Sequence, residues 1–271
     1  MHPAGVSQRN RKALEALHRE AGSVFGPDDA ARVLGVGRAE ATRLLGYFAR
    51  RGWLARVRRG LYVPVPLDSR RPGDWTEDSW VVAHRVFSPC YIGGWSACEH
   101  WDLTEQIFRT LLVVTARHIR DREVEMQGIP FAVTTRPPDK LFGTVAVWRR
   151  QTRVQVSDAS RTVVDILDDP RLGGGMRTVA EAVAAYMGSD RRDDHQLVEY
   201  GERLGNRTIF KRLGYLLERF RIDAPELVSA CLERRSAGLT KLDPSVQSRG
   251  RIVRRWGLYV NVDIDSGGAG A

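Results

Sequence analysis

The acidic side chains between residues 123 and 140 are the first candidates for catalytic chemistry. Glu123 and Glu125 are two positions apart on a predicted strand, so both lie on one face of it. Asp139 and Lys140 follow in the same strand-rich region. Grouped acids of this kind hold a divalent metal in many nucleases. The acid-x-Lys spacing on a following strand is missing, however, so a metal-dependent nuclease is kept only as an alternative interpretation.

Four further side chains could bind a metal, namely Cys90, Cys98, His100 and Cys231. Their spacing is not a standard zinc pattern, and three cysteines are too sparse and uneven to indicate a disulfide framework. Small buried thiols are the simpler interpretation. The run Gly173-Gly174-Gly175 lacks the Lys-Ser/Thr of a phosphate-binding loop. We therefore predict a protein that is not an enzyme, with no catalytic residue, no metal and no cofactor.

The apolar residues give no sign of a membrane or export segment. The sequence has no run approaching about 18 consecutive apolar residues, which a spanning helix needs. Met1 is followed by a polar stretch instead of the apolar core of a secretory signal. These patterns predict a cytoplasmic protein with no membrane partner.

The strongest binding signal is the arginine-rich segment Arg38–Val65. Ala41, Leu44, Leu45 and Phe48 predict a helix over 38–51 with one apolar face. The positions that face away from it are the candidate DNA-reading residues: Arg38, Thr42, Arg43, Tyr47 and Arg50. A helix fits the major groove, where arginine pairs with guanine and threonine contacts the thymine methyl group.

A basic hairpin is predicted directly after this helix. The strands Trp53–Val57 and Leu61–Val65 alternate around Arg58-Arg59-Gly60, where glycine suits the positive φ of a turn. Arg56, Arg58 and Arg59 at this tip are candidates for contacts with phosphates or with a minor groove. Phosphate contacts position a protein on DNA without reading sequence.

Two preceding helices complete the predicted DNA-binding domain. Ser7 is a predicted N-cap for a helix to Glu20, and Pro27-Asp28 begins a short helix to Leu34. The turn Gly35-Val36-Gly37 then gives the spacing of a helix-turn-helix. Residues 1–71 contain 14 Lys and Arg against 6 Asp and Glu, a net charge of +8. Together these features predict a winged helix-turn-helix that binds double-stranded DNA, and the alternative is a protein-interaction module.

A Pro/Gly/charge-rich linker at 67–74 predicts two domains and a short tail. They are a winged helix over 1–71, an α+β domain over 72–265 and a disordered tail over 266–271. The second domain is predicted to have a helical entry, an antiparallel strand-rich middle and a helical C-terminal part. The predicted strands are Thr110–Ala116, Glu123–Met126, Ile129–Thr135, Thr144–Trp148, Arg153–Val156 and Trp256–Val262.

A second concentration of positive charge lies in residues 203–255, which contain 13 Lys and Arg against 5 Asp and Glu. We predict a second basic surface that binds nucleic acid or an acidic protein. The plain alternative is a set of solvated helix faces. Its candidate residues are Arg203, Arg207, Lys211, Arg212, Arg219, Arg254 and Arg255. Earlier in the domain, Arg161 follows Asp158 by three positions and precedes Asp165 by four, which predicts an ion pair on a helix surface or cap.

Four segments in this order make the chain resemble the AbiEi antitoxins of bacterial type IV, or abortive infection, toxin–antitoxin systems. They are the hairpin RRGWLARVRRGLYV, YIGGWSACEHWDLTEQI at 91–107, the run from Ser157 to Asp165, and RLGYLLE at 212–218. Cys98 stands at a usually aliphatic position of the family and Asp102 at a usual glycine.

The resemblance implies a transcriptional autoregulator and antitoxin. In this family the winged helix binds operator repeats and represses its own operon. The C-terminal domain neutralises a nucleotidyltransferase-like toxin, the expected partner encoded beside it. The nuclease, and a one-component transcription factor with a ligand-binding second domain, remain the competing hypotheses.

Overall fold

The computed structural model describes residues 7–65, 76–248 and 250–264, which form two compact units. The predicted linker at 67–74 and tail at 266–271 lie outside the described residues, so the predicted division at residue 71 stays a prediction. The first unit comprises the residues up to Phe87 together with Val124–Pro130 and Trp148–Val154. The second unit comprises Ser88–Glu123, Phe131–Val147 and the described residues from Gln155 onward.

The first unit contains the predicted helix-turn-helix and hairpin. Its elements are α1 (Gln8–Glu20), α2 (Pro27–Leu34), α3 (Arg38–Arg50), β1 (Leu54–Arg58), β2 (Leu61–Pro64) and α4 (Ser79–Phe87). The Ser7 hydroxyl accepts a hydrogen bond from the Asn10 amide, which confirms the predicted N-cap of α1. β1 and β2 pair antiparallel, and Gly60 has the positive φ expected in the turn, +77°.

A small apolar core holds these helices together. Leu17 of α1, Phe25, and Ala41, Leu45 and Phe48 of α3 are fully excluded from solvent. Burial of a large apolar side chain stabilises a fold by about 1.5–3 kcal/mol. Phe25 also joins the hairpin, because its amide and carbonyl exchange hydrogen bonds of 2.9 Å with Tyr62. The apolar face predicted for α3 is thereby confirmed.

A six-stranded sheet forms the strand-rich middle, in the order β5-β6-β4-β3-β8-β7. Its strands are β3 (Cys90–Ile92), β4 (Leu111–Thr115), β5 (Glu123–Met126), β6 (Ile129–Thr135), β7 (Thr144–Arg149) and β8 (Thr152–Ser157). The α+β class is confirmed. The expectation that this middle is antiparallel throughout is wrong, because β4 pairs parallel with β6 and β3 pairs parallel with β8.

The mixed strand orientation results from β3, a strand that was not predicted from the sequence. Cys90, Tyr91 and Ile92 are all buried, so no alternation of polar and apolar residues marks this strand. Its insertion between β4 and β8 separates the two hairpins β5–β6 and β7–β8. Each hairpin therefore joins the central pair through a parallel contact, β6 with β4 and β8 with β3, whereas β3 and β4 pair antiparallel.

Helices form the C-terminal part, as predicted. They are α6 (Ala159–Asp168), α7 (Met176–Met187), α8 (Asp194–Leu204), α9 (Thr208–Arg219) and α10 (Pro225–Arg234), whereas the short helix α5 (Gly94–His100) lies earlier, between β3 and β4. A second small sheet has the order β10-β11-β9, from β9 (Thr240–Lys241), β10 (Arg251–Val253) and β11 (Leu258–Val260). β11 is the predicted last strand, shortened at both ends.

A buried ion pair lies on α6 at the centre of the second unit. Nε of Arg161 is 3.1 Å from Oδ1 of Asp165, and both side chains are fully buried. The predicted surface or cap ion pair is therefore wrong for Arg161, although Asp158 does cap α6 by accepting a hydrogen bond from the Arg161 amide. The packing of neighbouring elements around α6 removes both charges from water.

The surroundings of the pair are polar and come from several elements. The Tyr91 hydroxyl donates to Asp165 (2.8 Å) and accepts from Arg161 (3.0 Å). Arg136, just after β6, is 3.5 Å from Asp165 and 2.7 Å from Asp168. Burial, reinforced by the charge of Asp165, raises the pKa of Tyr91 well above its usual value, so this phenol stays protonated. Arg161, Asp165 and their partners thus form one neutralised cluster.

We expect Asp165→Asn to destabilise the protein by about 3–5 kcal/mol, because it leaves the Arg161 guanidinium buried without a compensating charge. Urea unfolding followed by circular dichroism measures this loss. The double change Arg161→Met, Asp165→Leu removes both charges and should recover most of the stability. A loss below about 1 kcal/mol for Asp165→Asn would show that the pair does not hold the unit together.

Gly214 of α9 gives a second test of packing. A Cβ atom there would lie 2.0–2.7 Å from the ring of Trp256, which is fully buried and donates to Glu218. We expect Gly214→Ala to cost about 3 kcal/mol by overpacking. The matched control is Gly46→Ala in α3, where the added methyl meets only Arg50 at 3.6 Å. That change should stabilise by about 0.5–1 kcal/mol, and equal effects on the unfolding midpoint would contradict the packing argument.

Candidate nucleic-acid interface

The exposed face of α3 presents most of the predicted reading residues. Arg38, Thr42, Arg43 and Arg50 are all exposed, since the opposite face of the helix is buried through Ala41, Leu45 and Phe48. These four side chains lie within about three helical turns of one another. They give the helix a positively charged outer surface of the kind that fits a major groove.

The turn before α3 fixes where this face begins. Gly35 ends α2 in the left-handed conformation at φ +66°, and Gly37 is the N-cap of α3. At the start of α2 the Asp29 carboxylate accepts from the Gly26 amide at 3.0 Å. Arg38 lies 3.2 Å from Asp28, and both side chains are 72% exposed. Such an exposed pair is weak, so Arg38 can exchange Asp28 for a DNA phosphate at little cost.

Thr42 is held in one orientation by its own helix. Its hydroxyl donates to the Arg38 carbonyl oxygen at 2.8 Å. With the hydroxyl engaged, its methyl group is the part available to a partner. This geometry suits contact with a thymine methyl group better than a hydrogen bond to a base.

Tyr47 differs from the other predicted reading residues because it is half-buried. Its ring packs at 5.7 Å from Phe48 and 5.9 Å from Trp53, between centroids. The guanidinium of Arg51 lies 5.6 Å above the same ring. Tyr47 therefore belongs mainly to the rim of the core. Arg51 was missed as a candidate, although its spacing of four residues from Tyr47 places it on the same helix face.

The hairpin β1–β2 is the wing of the predicted winged helix, and its three arginines are exposed. Arg56, Arg58 and Arg59 are all exposed, on or beside a tip closed by Gly60. The strand register shifts between Arg56 and Arg58, which marks a bulge on the ascending strand. A bulge re-aims the side chains that follow it. Helix α3 and the wing thus belong to one unit in which the predicted reading residues, Tyr47 excepted, face solvent.

Two members of the predicted second basic surface are buried, so the prediction is wrong for them. Nζ of Lys211 donates to the carbonyl oxygens of Gly238 (2.8 Å) and Gly257 (3.3 Å), and burial lowers its pKa. Arg212 donates to the carbonyl oxygens of Leu242 (2.9 Å) and Leu167 (2.6 Å). Both cations are buried and hydrogen-bonded to backbone carbonyl oxygens inside the unit, so neither is accessible to a binding partner.

The other five residues of that predicted surface are exposed: Arg203, Arg207, Arg219, Arg254 and Arg255. Some already have intramolecular roles. Arg207 donates to the Arg234 carbonyl at the end of α10, and Arg255 pairs with Glu218 at 2.6 Å. Arg203 lies with its guanidinium 3.8 Å above the ring centroid of Phe142. The predicted second basic surface therefore has fewer exposed cations without an intramolecular role than the 13 Lys and Arg of residues 203–255 indicate.

The candidate metal-binding residues are dispersed. Cys90, Cys98 and Cys231 are buried thiols outside any disulfide, and burial raises the pKa of Cys98 to about 12. Glu123 and Glu125 are exposed on β5, whereas Lys140 donates to the Arg203 carbonyl. Among the described residues, no three His, Cys, Asp or Glu side chains are grouped to hold a metal ion. No helix in that part of the chain is both long and apolar enough to cross a membrane.

Comparison with known structures supports the fold. The crystal structure of the RV2827C protein from Mycobacterium tuberculosis is similar to this chain with a TM-score of 0.63. The match covers 93% of this chain and 91% of that one, at 16% sequence identity. At this identity the likeness concerns the fold alone. No protein of curated function matches the sequence.

A family comparison identifies the N-terminal segment. The model of the family described as a transcriptional regulator, AbiEi antitoxin, matches residues 12–65. This range runs from α1 through the wing and includes every predicted DNA-reading residue. The resemblance of this chain to the AbiEi antitoxins is confirmed over these residues.

Proposed function

We propose that this protein is a DNA-binding autoregulator of its own operon and the antitoxin to a nucleotidyltransferase-like toxin encoded beside it. The winged helix binds operator repeats. The second unit neutralises the toxin. The family match over residues 12–65 supports the regulatory and antitoxin role in general, and the division of labour and the identity of the toxin are part of the proposal.

The observation that carries the DNA-binding part is the exposed arginine set on α3 and the wing. Arg43 and Arg50 on α3, and Arg58 and Arg59 on the wing, are exposed on a unit with a closed apolar core. Charged side chains that contribute nothing to that core are available for a polyanion. Phosphate contacts of this kind supply most of the affinity of a small DNA-binding domain.

Within this set, different residues have different proposed roles. Arg38, Thr42 and Arg43 lie in the first turns of α3, where recognition helices contact base edges. Arg56, Arg58 and Arg59 reach phosphates or the minor groove and set affinity. A single winged helix makes a small footprint, so two copies on paired repeats are expected.

The antitoxin part rests on the second unit. Its exposed arginines Arg203, Arg207, Arg219, Arg254 and Arg255 offer positive charge to the toxin or to the nucleic acid on which the toxin acts. Arg255 already pairs with Glu218. Since an exposed ion pair contributes at most about 1 kcal/mol, such a residue can change partner on binding.

The DNA-binding proposal predicts a steep salt dependence for the full chain on a duplex from the region upstream of its gene. Each phosphate contact contributes about 0.9 to the slope of log K against log salt. We expect the triple variant Arg43→Ala, Arg58→Ala, Arg59→Ala to weaken binding about 100-fold or more at physiological salt and to flatten that slope. Fluorescence anisotropy across a salt series measures both quantities.

A matched variant controls for lost charge. Arg171→Ala, Arg177→Ala, Arg191→Ala removes three exposed arginines from the second unit, outside residues 203–255. It should bind DNA nearly as tightly as the unchanged protein. If both triple variants lose affinity equally, net charge and not the winged helix determines binding, and the proposed interface is wrong.

The division of labour predicts that neutralisation survives the loss of DNA binding. Cells that express the neighbouring nucleotidyltransferase-like protein should grow when the Arg43, Arg58, Arg59 triple variant is co-expressed from a foreign promoter, because the second unit is unchanged. Growth rate and antitoxin level are the measurements. Toxicity at an equal antitoxin level would refute the separation of the two roles.

A further inference from the structure

Trp148 is a large aromatic side chain that the fold leaves in solvent. It stands at the end of β7, and 64% of its surface is exposed. Exposed tryptophan is unusual in a soluble protein, because its ring carries a large apolar area and usually finds a partner. Its position among charged residues indicates a surface that contacts a partner through both apolar and ionic interactions.

The neighbours of Trp148 are basic. Residues 148–154 contain Arg149, Arg150 and Arg153 and no acid. Arg150 occupies the turn between β7 and β8 at φ +53°, a conformation that favours glycine. This tip is therefore a second arginine-bearing hairpin of the first unit, in addition to the wing at 58–60.

Contacts within the first unit hold the tip in place. The guanidinium of Arg149 lies 4.1 Å above the ring centroid of Trp80 in α4. Arg150 is 3.4 Å from the buried carboxylate of Glu77. The hydroxyls of Thr152 and Ser23, the latter in the segment between α1 and α2, are 3.5 Å apart. Trp148–Val154 thus belongs to the same compact unit as the winged helix.

Arg153 and Trp148 remain directed to solvent as a pair. The guanidinium of Arg153 lies 5.7 Å from the ring centroid of Trp148, and both side chains are exposed. A cation above an aromatic ring is stabilised and oriented by the ring. The pair therefore presents a preformed positive charge beside an apolar plane.

We propose that the Trp148–Arg153 pair is a further DNA contact, made to the sugar-phosphate backbone of duplex DNA outside the site occupied by α3 and the wing. This inference rests on the proposed function. Arginine donates to phosphate oxygens, and an apolar ring packs against deoxyribose or the floor of a minor groove. The absence of acids from the tip and its place in the DNA-reading unit favour DNA over a protein partner.

The test uses the full chain with Trp148→Ala, Arg153→Gln, on a long duplex of about 40 base pairs from the upstream region and on one trimmed to about 15 base pairs around the protected site. On the long duplex the variant should bind about fivefold to tenfold more weakly, and its salt slope should fall by about 0.9 through loss of one phosphate. On the trimmed duplex it should match the unchanged protein.

Two further variants make the result specific. Arg153→Lys keeps the charge and should retain the slope. Arg191→Gln removes one exposed arginine from the second unit and should leave the affinity for both duplexes unchanged. Because Trp148 and Arg153 are exposed, all variants should melt at the same temperature, and circular dichroism verifies this. Hydroxyl-radical footprinting should show the flanking protection lost only in the double variant.

The outcomes separate this inference from the proposed function. If the double variant binds the long duplex as tightly as the unchanged protein while the Arg43, Arg58, Arg59 variant does not, the Trp148–Arg153 contact is refuted and the winged helix stands. If neither variant loses affinity, the proposed DNA-binding surface on α3 and the wing is refuted as well. If DNA binding is unchanged but the double variant no longer neutralises or co-purifies with the neighbouring toxin, the pair is a protein contact and the inference is overturned.

Discussion

The second unit depends on the buried ion pair between Arg161 and Asp165. Two charges without water are stable only when the partners around them are assembled, because desolvation costs several kcal/mol for each ion. Tyr91 of β3, Arg136 after β6 and the Lys140 carbonyl all bind this pair. A second buried cation binds the C-terminal end of α6, because Arg212 donates to the carbonyl oxygens of Leu167 and Asp168. Sheet and helices are therefore tied to α6 by charge as well as by apolar packing.

The first unit is organised in the opposite way. The core around α1 to α3 consists of apolar residues such as Leu17, Leu45 and Phe48, and the arginines of α3 lie outside it. Because no arginine of α3 is needed inside, positive charge accumulates on the exposed face of that helix. The contrast is one of environment: the second unit buries Arg161 and Arg212 as structural cations, and the first unit exposes the arginines of α3 to solvent. Residues 1–71 and residues 203–255 have the same net charge of +8, yet the fold exposes that charge differently.

Sequence periodicity predicted the winged helix closely. Helix α3, the turn at Gly60 and the exposed arginines follow from local patterns, since an amphipathic helix and a tight hairpin are determined by neighbours in the chain. The predicted helical character of the C-terminal part is confirmed, for example by α7, Met176–Met187. The buried strand β3 and the parallel pairing of β4 with β6 were not predictable, because a three-residue apolar run has no period and pairing is a long-range property. Lys211 and Arg212 were misplaced for the same reason.

By itself, the sequence determined that a basic helix and hairpin stand near the N-terminal end, that an α+β unit follows, and that the chain resembles the AbiEi antitoxins, which the family match supports over residues 12–65. Only the tertiary structure decided which cations are accessible. It buried Arg161, Lys211 and Arg212 against carbonyl and carboxylate oxygens and left Trp148 and Arg153 in solvent. The physical reason is that the solvation of a charge depends on atoms far away in the chain. The identity of a residue fixes its charge, and the fold fixes what that charge can reach.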